Sequence, residues 1–494
     1  MQTGESLTAS SGKLASNSVG IAHIVFFVVA AAAPLTAVVG ATPPAFAFGN
    51  GAGVPGAFVL AGLLYLIFSV GYTAMSRHIT GAGAFYTYIA NGIGKPAGVA
   101  GAFIALLTYS AVQIAVYGLI GVFANAAMAS LGLDLPWWVW SFTVLIITHL
   151  AGQRNITFSG AILGVCMLAE IVILLLLDLG IVLHGGGPEG MSASSFMPST
   201  VFAPGLGVSL VFVVGSFIGF EATAIFGEEA HRPEITIPRA TYISVLLIAV
   251  FYAFSTWAIV QFYGPSKIQE TANASMNTFY FDAATKVLGP WAAHTMNVLL
   301  ITSLFACILS FHNTLNRYFF ALGREGLAFD VLGKVHEIHG SPHVAGMLQS
   351  GIAAVVLACF VITGQDPLAV VFSYMSALAV LGILLVQAMV SIAIVMFFRS
   401  DNKGYGPWRT MIAPILAFAG LVGAIILVIS NLSLLAGASN LVIDSFPVIV
   451  ALVGIGGAFF ALSIKKASPE RYAALGRIFA DETISEFHGN AETL

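Results

Sequence analysis

Charge is what this 494-residue chain has least of: 22 acidic and 18 basic residues make up only 8% of it. Soluble domains carry about a quarter. So few ionisable groups cannot cover a surface that dissolves in water, so lipid must cover most of it. The net charge of −4 is small, and its residues fall in short connecting segments. It argues neither for nucleic acid nor for an acidic ligand. Cysteine is nearly absent as well. Cys166, Cys307 and Cys359 lie in apolar runs with no CxxC or Cys/His spacing, and they read as small core residues. Enzyme signatures are also missing. His336, His339 and His343 come nearest to a metal motif, but Gly340 holds the place of the second histidine of HExxH, and Gly340 and Pro342 break the helical face. Gly92-Ile93-Gly94-Lys95-Pro96 lacks the Ser or Thr that a phosphate loop needs after its lysine. No catalytic group, cofactor, metal or nucleotide site is expected.

What the chain has in abundance is hydrophobic residues, 58% of the total. A helix crosses the bilayer core with about 20 apolar residues. Apolar runs near 19–48, 54–76, 97–130, 136–152, 157–184 and 204–228 make a first set, and 240–263, 290–322, 345–364, 368–398, 410–436 and 444–464 a second. The expected architecture is therefore all-α, with twelve membrane spans. The first run is too long for the apolar part of a cleaved leader, although Ala45-Phe46-Ala47 imitates a cleavage site, and it is kept as a helix.

An even number of spans puts both termini on one side, and lysine and arginine say which. With the N-terminus inside, sixteen of these residues lie at or near the cytoplasmic face, and only Lys267 and Lys286 lie outside. The expectation is a cytoplasmic (inner) membrane protein with both termini in the cytoplasm. Residues 1–18 and 465–494 are then cytoplasmic segments.

Carriers often place their sites where a membrane helix is interrupted and freed peptide groups line a cavity. Pro34 and Gly40 bracket such a stretch in the first span. Gly205, Gly207, Gly215 and Gly219 crowd the sixth. Glycines also serve close helix packing. The two weak spans are five helices apart, the separation expected of inverted repeats, and Val38-Val39-Gly40 is echoed by Val213-Val214-Gly215.

Ionisable residues inside spans are costly and are functional candidates by default. Glu221, just past the sixth-span glycines, is placed to attract an ammonium group or take up a proton; a neutral acid bonded to a neighbouring helix is the structural alternative. Glu170 in the fifth span is a second candidate, whereas Asp178 lies nearer the outer end and is expected to be solvated. Tyr109, Gln113 and Tyr117 share one face of the third span, as cavity wall or as core. Phe311, His312, Asn313 and Asn316 form a further cluster in the eighth, with His312 read as a satisfied interior histidine.

Three motifs carry a family resemblance. The first is Met75-Ser76-Arg77 followed by Gly81-Ala82-Gly83-Ala84-Phe85-Tyr86-Thr87-Tyr88 and Gly92-Ile93-Gly94. The second runs from Ser216-Phe217-Ile218-Gly219-Phe220-Glu221 through Gly227-Glu228-Glu229 and Arg232-Pro233 to Ile237-Pro238-Arg239-Ala240. The third is Gly323-Arg324-Glu325-Gly326-Leu327 with Ser341-Pro342. In this order and spacing they resemble the permeases of the amino acid/polyamine/organocation superfamily, over residues 18–465. The resemblance implies a leucine-transporter-like fold. Its inverted five-helix repeats would be 19–184 and 204–398, with two peripheral helices in 410–464, working by alternating access.

It also implies site residues. Thr36, Ala37, Val38, Val39 and Gly40 would be the unwound part of the first helix, and Gly215, Ser216 and Phe217 the matching part of the sixth. Gln113 and Phe311 would contact or gate substrate, and Glu221 would stand near the gate. The chain departs from the family pattern in three places. Val38-Val39-Gly40 replaces a Gly-Ser/Ala-Gly triplet, Gly215 replaces a large aromatic, and Met167 replaces a fifth-helix lysine that proton-coupled relatives use as a cation surrogate. Glu170, one turn on from Met167, is the candidate replacement.

The expected activity is secondary transport of an amino acid or related small amine, driven by a proton, sodium ion or exchanged solute. An ethanolamine- or putrescine-type amine is the alternative substrate. A channel is less expected, because neither repeated pore motifs nor rings of charge are present.

Overall fold

The computed structural model describes residues 20–79, 84–129, 131–153, 157–221, 223, 230–336, 341–435 and 440–475. Among them no strand occurs. Nine helices among these residues are long and apolar enough to cross a membrane. Shorter helices fall in the other three apolar runs. The first span, α1, is in two pieces, Ile21–Ala32 and Thr36–Phe48. The fourth, α4, is the 17-residue helix Trp137–Gln153, and the sixth, α6, is the short apolar helix Leu206–Gly215.

The long spans are α2 (Val54–Ser76), α3 (Lys95–Ala129), α5 (Thr157–Leu183) and α7 (Pro233–Tyr263) in the first part of the chain. They continue as α8 (Pro290–Arg324), α9 (His343–Ile362), α10 (Pro367–Phe398), α11 (Trp408–Leu434) and α12 (Leu441–Ala467). Proline opens several of them in the first turn, at Pro55, Pro233 and Pro290. Its missing N–H is not needed there.

The core follows from which faces are apolar all round. The 35-residue helices α3 and α8 are each about 50 Å long at 1.5 Å per residue, well over the roughly 30 Å hydrocarbon layer. They pack on one another. Helix α3 also meets α4, α10 and α12. Around this centre the outer helices turn apolar side chains outward: Val165, Leu168, Val172 and Leu176 on α5, and Val448, Leu452, Ile455 and Phe459 on α12, are exposed. Recurring every three or four residues, these are stripes facing lipid. At the end of the bundle where α3 begins, the short helix Pro469–Ala474 is docked by Lys95, whose Nζ donates to the carbonyls of Tyr472 and Ala473 at 2.7 Å each.

Candidate functional site

Helix α1 breaks at Ala33, a non-glycine residue held at φ 45°. Pro34 follows and has no N–H to return to the preceding turn, so the chain leaves the helix and re-enters it as a wide turn over Thr36–Ala41. The resemblance put the unwound stretch at Thr36 to Gly40. The structure puts the break three residues earlier, where the proline removes the hydrogen bond, and keeps Thr36 to Gly40 helical in the π form.

Every peptide group freed in a dry interior needs a partner. Three side chains supply them. Tyr252 on α7 donates to the Ala32 carbonyl at 3.1 Å, the Leu35 N–H reaches Glu170 Oε2 at 3.4 Å, and the Thr36 N–H reaches Ser303 Oγ at 3.4 Å. The Thr36 hydroxyl adds a 3.1 Å bond to the same Ser303 oxygen.

Helix α6 stops at Gly215, after which the amides of Phe217 and Ile218 bond three residues back, to Val214 and Gly215. Gly219 then takes φ 114°, open to glycine but strained for other residues. Its N–H is received by Glu221 Oε2 at 3.1 Å, and Glu221 Oε1 accepts from the Tyr109 hydroxyl at 2.7 Å. Each interrupted helix therefore hands one amide to a buried glutamate: Glu170 at the first break, Glu221 at the second.

Between the breaks lies a cavity of about 60 Å³. From α1 it is lined by Thr36 and Ala37, from α6 by Gly215 and Ser216, and from α8 by Cys307 and Phe311. Val112 and Val116 of α3, Phe212 of α6 and Phe372 of α10 close it. No lining residue is charged. Room of this size takes a few waters or a small solute.

Five of the expected residues thus meet at the cavity: Thr36, Ala37, Gly215, Ser216 and Phe311. The others do not line it. Val38 and Val39 are packed in the core, and Gly40 faces Leu119. Gln113 turns away from the cavity, donating to the Ile308 carbonyl at 3.3 Å and accepting from Gln349. Phe217 packs between Phe58 and Tyr65. Glu170 and Glu221 stand behind the wall, one residue removed from it through Ser303 and Tyr109.

Asp178 corrects an expectation. It is not solvated but 1% exposed, bonded by Ser255 Oγ at 2.5 Å, because α7 covers that face of α5. His312 corrects another: it is buried, yet neither ring nitrogen finds a hydrogen-bond partner of good geometry. Gly81 to Gly83, Gly227 to Glu229, His339 and Arg154 lie outside the described residues.

Sequence reasoning missed Ser303 and Tyr252. Ser303, Cys307 and Phe311 recur every four residues on α8, and that spacing would have led from Phe311 back to the serine. On the Glu221 side, the cavity is shut by a layer of rings. Tyr65 meets Phe217 and Phe220, both tilted, at 4.9 and 5.0 Å, Tyr72 meets Tyr88 at 5.1 Å, and Tyr109 meets Tyr318 at 5.8 Å. On the other side stands the stacked pair Phe212 and Phe372, 5.8 Å apart.

Among the described residues, nine span-length apolar helices and shorter apolar ones, with α1 interrupted at Ala33 and α6 ending at Gly215 beside one uncharged cavity, define a multi-pass membrane protein. The chain belongs to the amino acid permease family, whose sequence model matches residues 24–459. Among curated proteins it is 24% identical to the aromatic amino acid transport protein of Escherichia coli O157:H7 over 277 residues, 55% of this chain and 58% of that one. It therefore spans less than two thirds of that relative. It is 22% identical to the serine/threonine exchanger of Bacillus subtilis strain 168 over 372 residues, 74% of this chain and 80% of the exchanger. It is 22% identical to the low-affinity putrescine importer of Escherichia coli K12 over 311 residues, 62% and 67% of the two chains.

Proposed function

We propose that this permease is a secondary carrier that moves a small neutral amino acid across the cytoplasmic membrane by alternating access. One observation carries the reading: both interrupted helices open onto the same cavity, so a solute held there is gripped at two hinges at once. In this reading residues 19–184 and 204–398 are the two five-helix repeats, 410–464 the peripheral pair, and both termini are cytoplasmic. Thr36, Ala37, Gly215, Ser216 and Phe311 contact the solute. Glu221 gates and Glu170 couples, by a proton or a sodium ion, since each carboxylate holds an amide at a break.

The uncharged lining supports an amino acid over a diamine. A zwitterion brings its own counter-charge, whereas a diamine brings two positive charges into a wall with no carboxylate, which is costly. The putrescine importer among the relatives keeps the amine as the second reading. A thermal-shift screen of purified protein against amino acids and amines, followed by labelled uptake and counterflow in proteoliposomes, tests both. Stabilisation and counterflow by alanine, serine or valine are expected. Putrescine alone would select the second reading, and flux without counterflow would mean a channel.

A further inference from the structure

Past Ala467, where α12 ends, the chain turns at Ser468 and enters a six-residue helix, Pro469–Ala474. A helix that short does not hold itself in water, so its place is set by what it touches. The carbonyls of Tyr472 and Ala473, in its last turn, have no partner inside the helix, and both receive Nζ of Lys95, the first residue of α3. A cation at a helix C-terminus also meets the favourable end of the dipole. Lys95 and Lys465 stand over the Tyr472 ring, 5.3 and 5.6 Å from its centre. Arg471 in turn donates to the Gly326 carbonyl, in the turn after α8, and lies 3.9 Å from Asp330 Oδ1.

Leu475, the residue after the helix, is 1% exposed. It belongs to a small apolar cluster separate from the main core, shared with Tyr86 and Val99 from one part of the chain and with Leu322 and Leu327 from another. Tyr86 lies on the connector helix Ala84–Gly92, and its buried hydroxyl donates to Oε2 of Glu325, which caps the end of α8. A hydrogen bond to a carboxylate is strongest where water is kept out, and Leu475 helps close the cluster around Tyr86. Residues 468–475 therefore hold both sides of one seam: Lys95, Tyr86 and Val99 beside the start of α3, and Leu322, Gly326 and Leu327 at the end of α8.

We propose that residues 468–475 are an autoinhibitory clasp. Docked, the clasp fastens the start of α3 to the end of α8 and slows the movement of one five-helix repeat against the other; undocked, it frees them. One buried leucine with polar contacts around it is a modest hold, so the clasp opens without unfolding the bundle. The slowing rests on the carrier reading, because only a rocking carrier needs this seam to part. The fastening does not.

Hydrogen exchange of the full-length protein in liposomes, read by mass spectrometry, tests the fastening. In the wild type the amides of 469–475 should be protected. L475D, which puts a charge into the apolar cluster, should expose them and at the same time raise exchange in 84–92 and 322–333. K95A/R471A strips the polar contacts but keeps the leucine; it should give a smaller effect of the same kind, and it carries the test should L475D fail to fold. Free exchange of 469–475 in the wild type, or release of that segment with 84–92 and 322–333 still protected, overturns the clasp. Counterflow of labelled alanine in proteoliposomes tests the slowing. It should run severalfold faster in L475D, and less so in K95A/R471A, with half-saturation unchanged; an equal or slower rate overturns the autoinhibition. Absent counterflow in the wild type would count against the carrier reading, and the exchange result would still decide whether the clasp fastens the seam.

Discussion

The Tyr109 hydroxyl donates to Glu221 Oε1 at 2.7 Å, tying the central helix α3 to the break in α6. Glu221 is fully buried, and its second oxygen holds the Gly219 amide. A phenylalanine at position 109 leaves a buried acceptor without its donor, which costs about 1 to 3 kcal/mol. Y109F should therefore lower the unfolding temperature in detergent. E221Q should keep the folded, monodisperse protein and abolish uptake. Wild-type uptake by E221Q would remove Glu221 from the gate.

At the other break, Ser303 serves both the amide and the hydroxyl of Thr36. S303A should weaken the substrate-induced thermal shift more than it weakens the apo protein, which loses two neutral hydrogen bonds of about 1 kcal/mol each. E170Q retains an acceptor for the Leu35 amide but cannot exchange a proton. Uptake by E170Q should lose pH dependence, and an unchanged profile would rule out Glu170 as the coupling group.

Gly215 is unlike most helix glycines here. A methyl at Gly62 or Gly71 would press within 3 Å of a neighbour, whereas at Gly215 the nearest atom is Val380 Cγ2 at 3.7 Å. Space, not packing, is what this glycine leaves. G215V should fill the cavity, keep the fold, and exclude valine and larger amino acids before alanine and glycine. Competition of unlabelled amino acids against labelled alanine uptake measures the order; an unaltered order would put the side-chain pocket elsewhere.

Gly219 is a glycine for the backbone's sake, at φ 114°. G219A should cost about 1 to 2 kcal/mol of stability. Thermal unfolding compared with G215A, which has no such strain, checks it.

The membrane architecture was legible because span length and the scarcity of charge are properties of local sequence. Pro34 and the glycines from Gly205 to Gly219 marked the two helices that do break. The exact point of the first break was not legible: it depends on Ala33 accepting a left-handed backbone, which tertiary partners such as Tyr252 and Glu170 make tolerable. The facing of α3 was not legible either. A helix buried nearly all round shows no periodicity, so the sequence left Tyr109, Gln113 and Tyr117 open between cavity wall and core, and it is Val112 and Val116 that line the cavity. Partners far apart in sequence, such as Glu170 with Leu35, leave no signal in one chain.

In the alternating-access reading proposed above, the ring layer beside Glu221 would make the two doors of the permease unequal. Reaching the cavity from that end would mean separating several tilted aromatic contacts and wetting their faces, while at the far end stands the stacked Phe212 and Phe372 pair. Hydrophobic contacts of that kind strengthen on warming from the cold and carry a heat-capacity change. The slower door should therefore be the thicker one, so that vesicles loaded for opposite directions of travel turn over with different temperature coefficients.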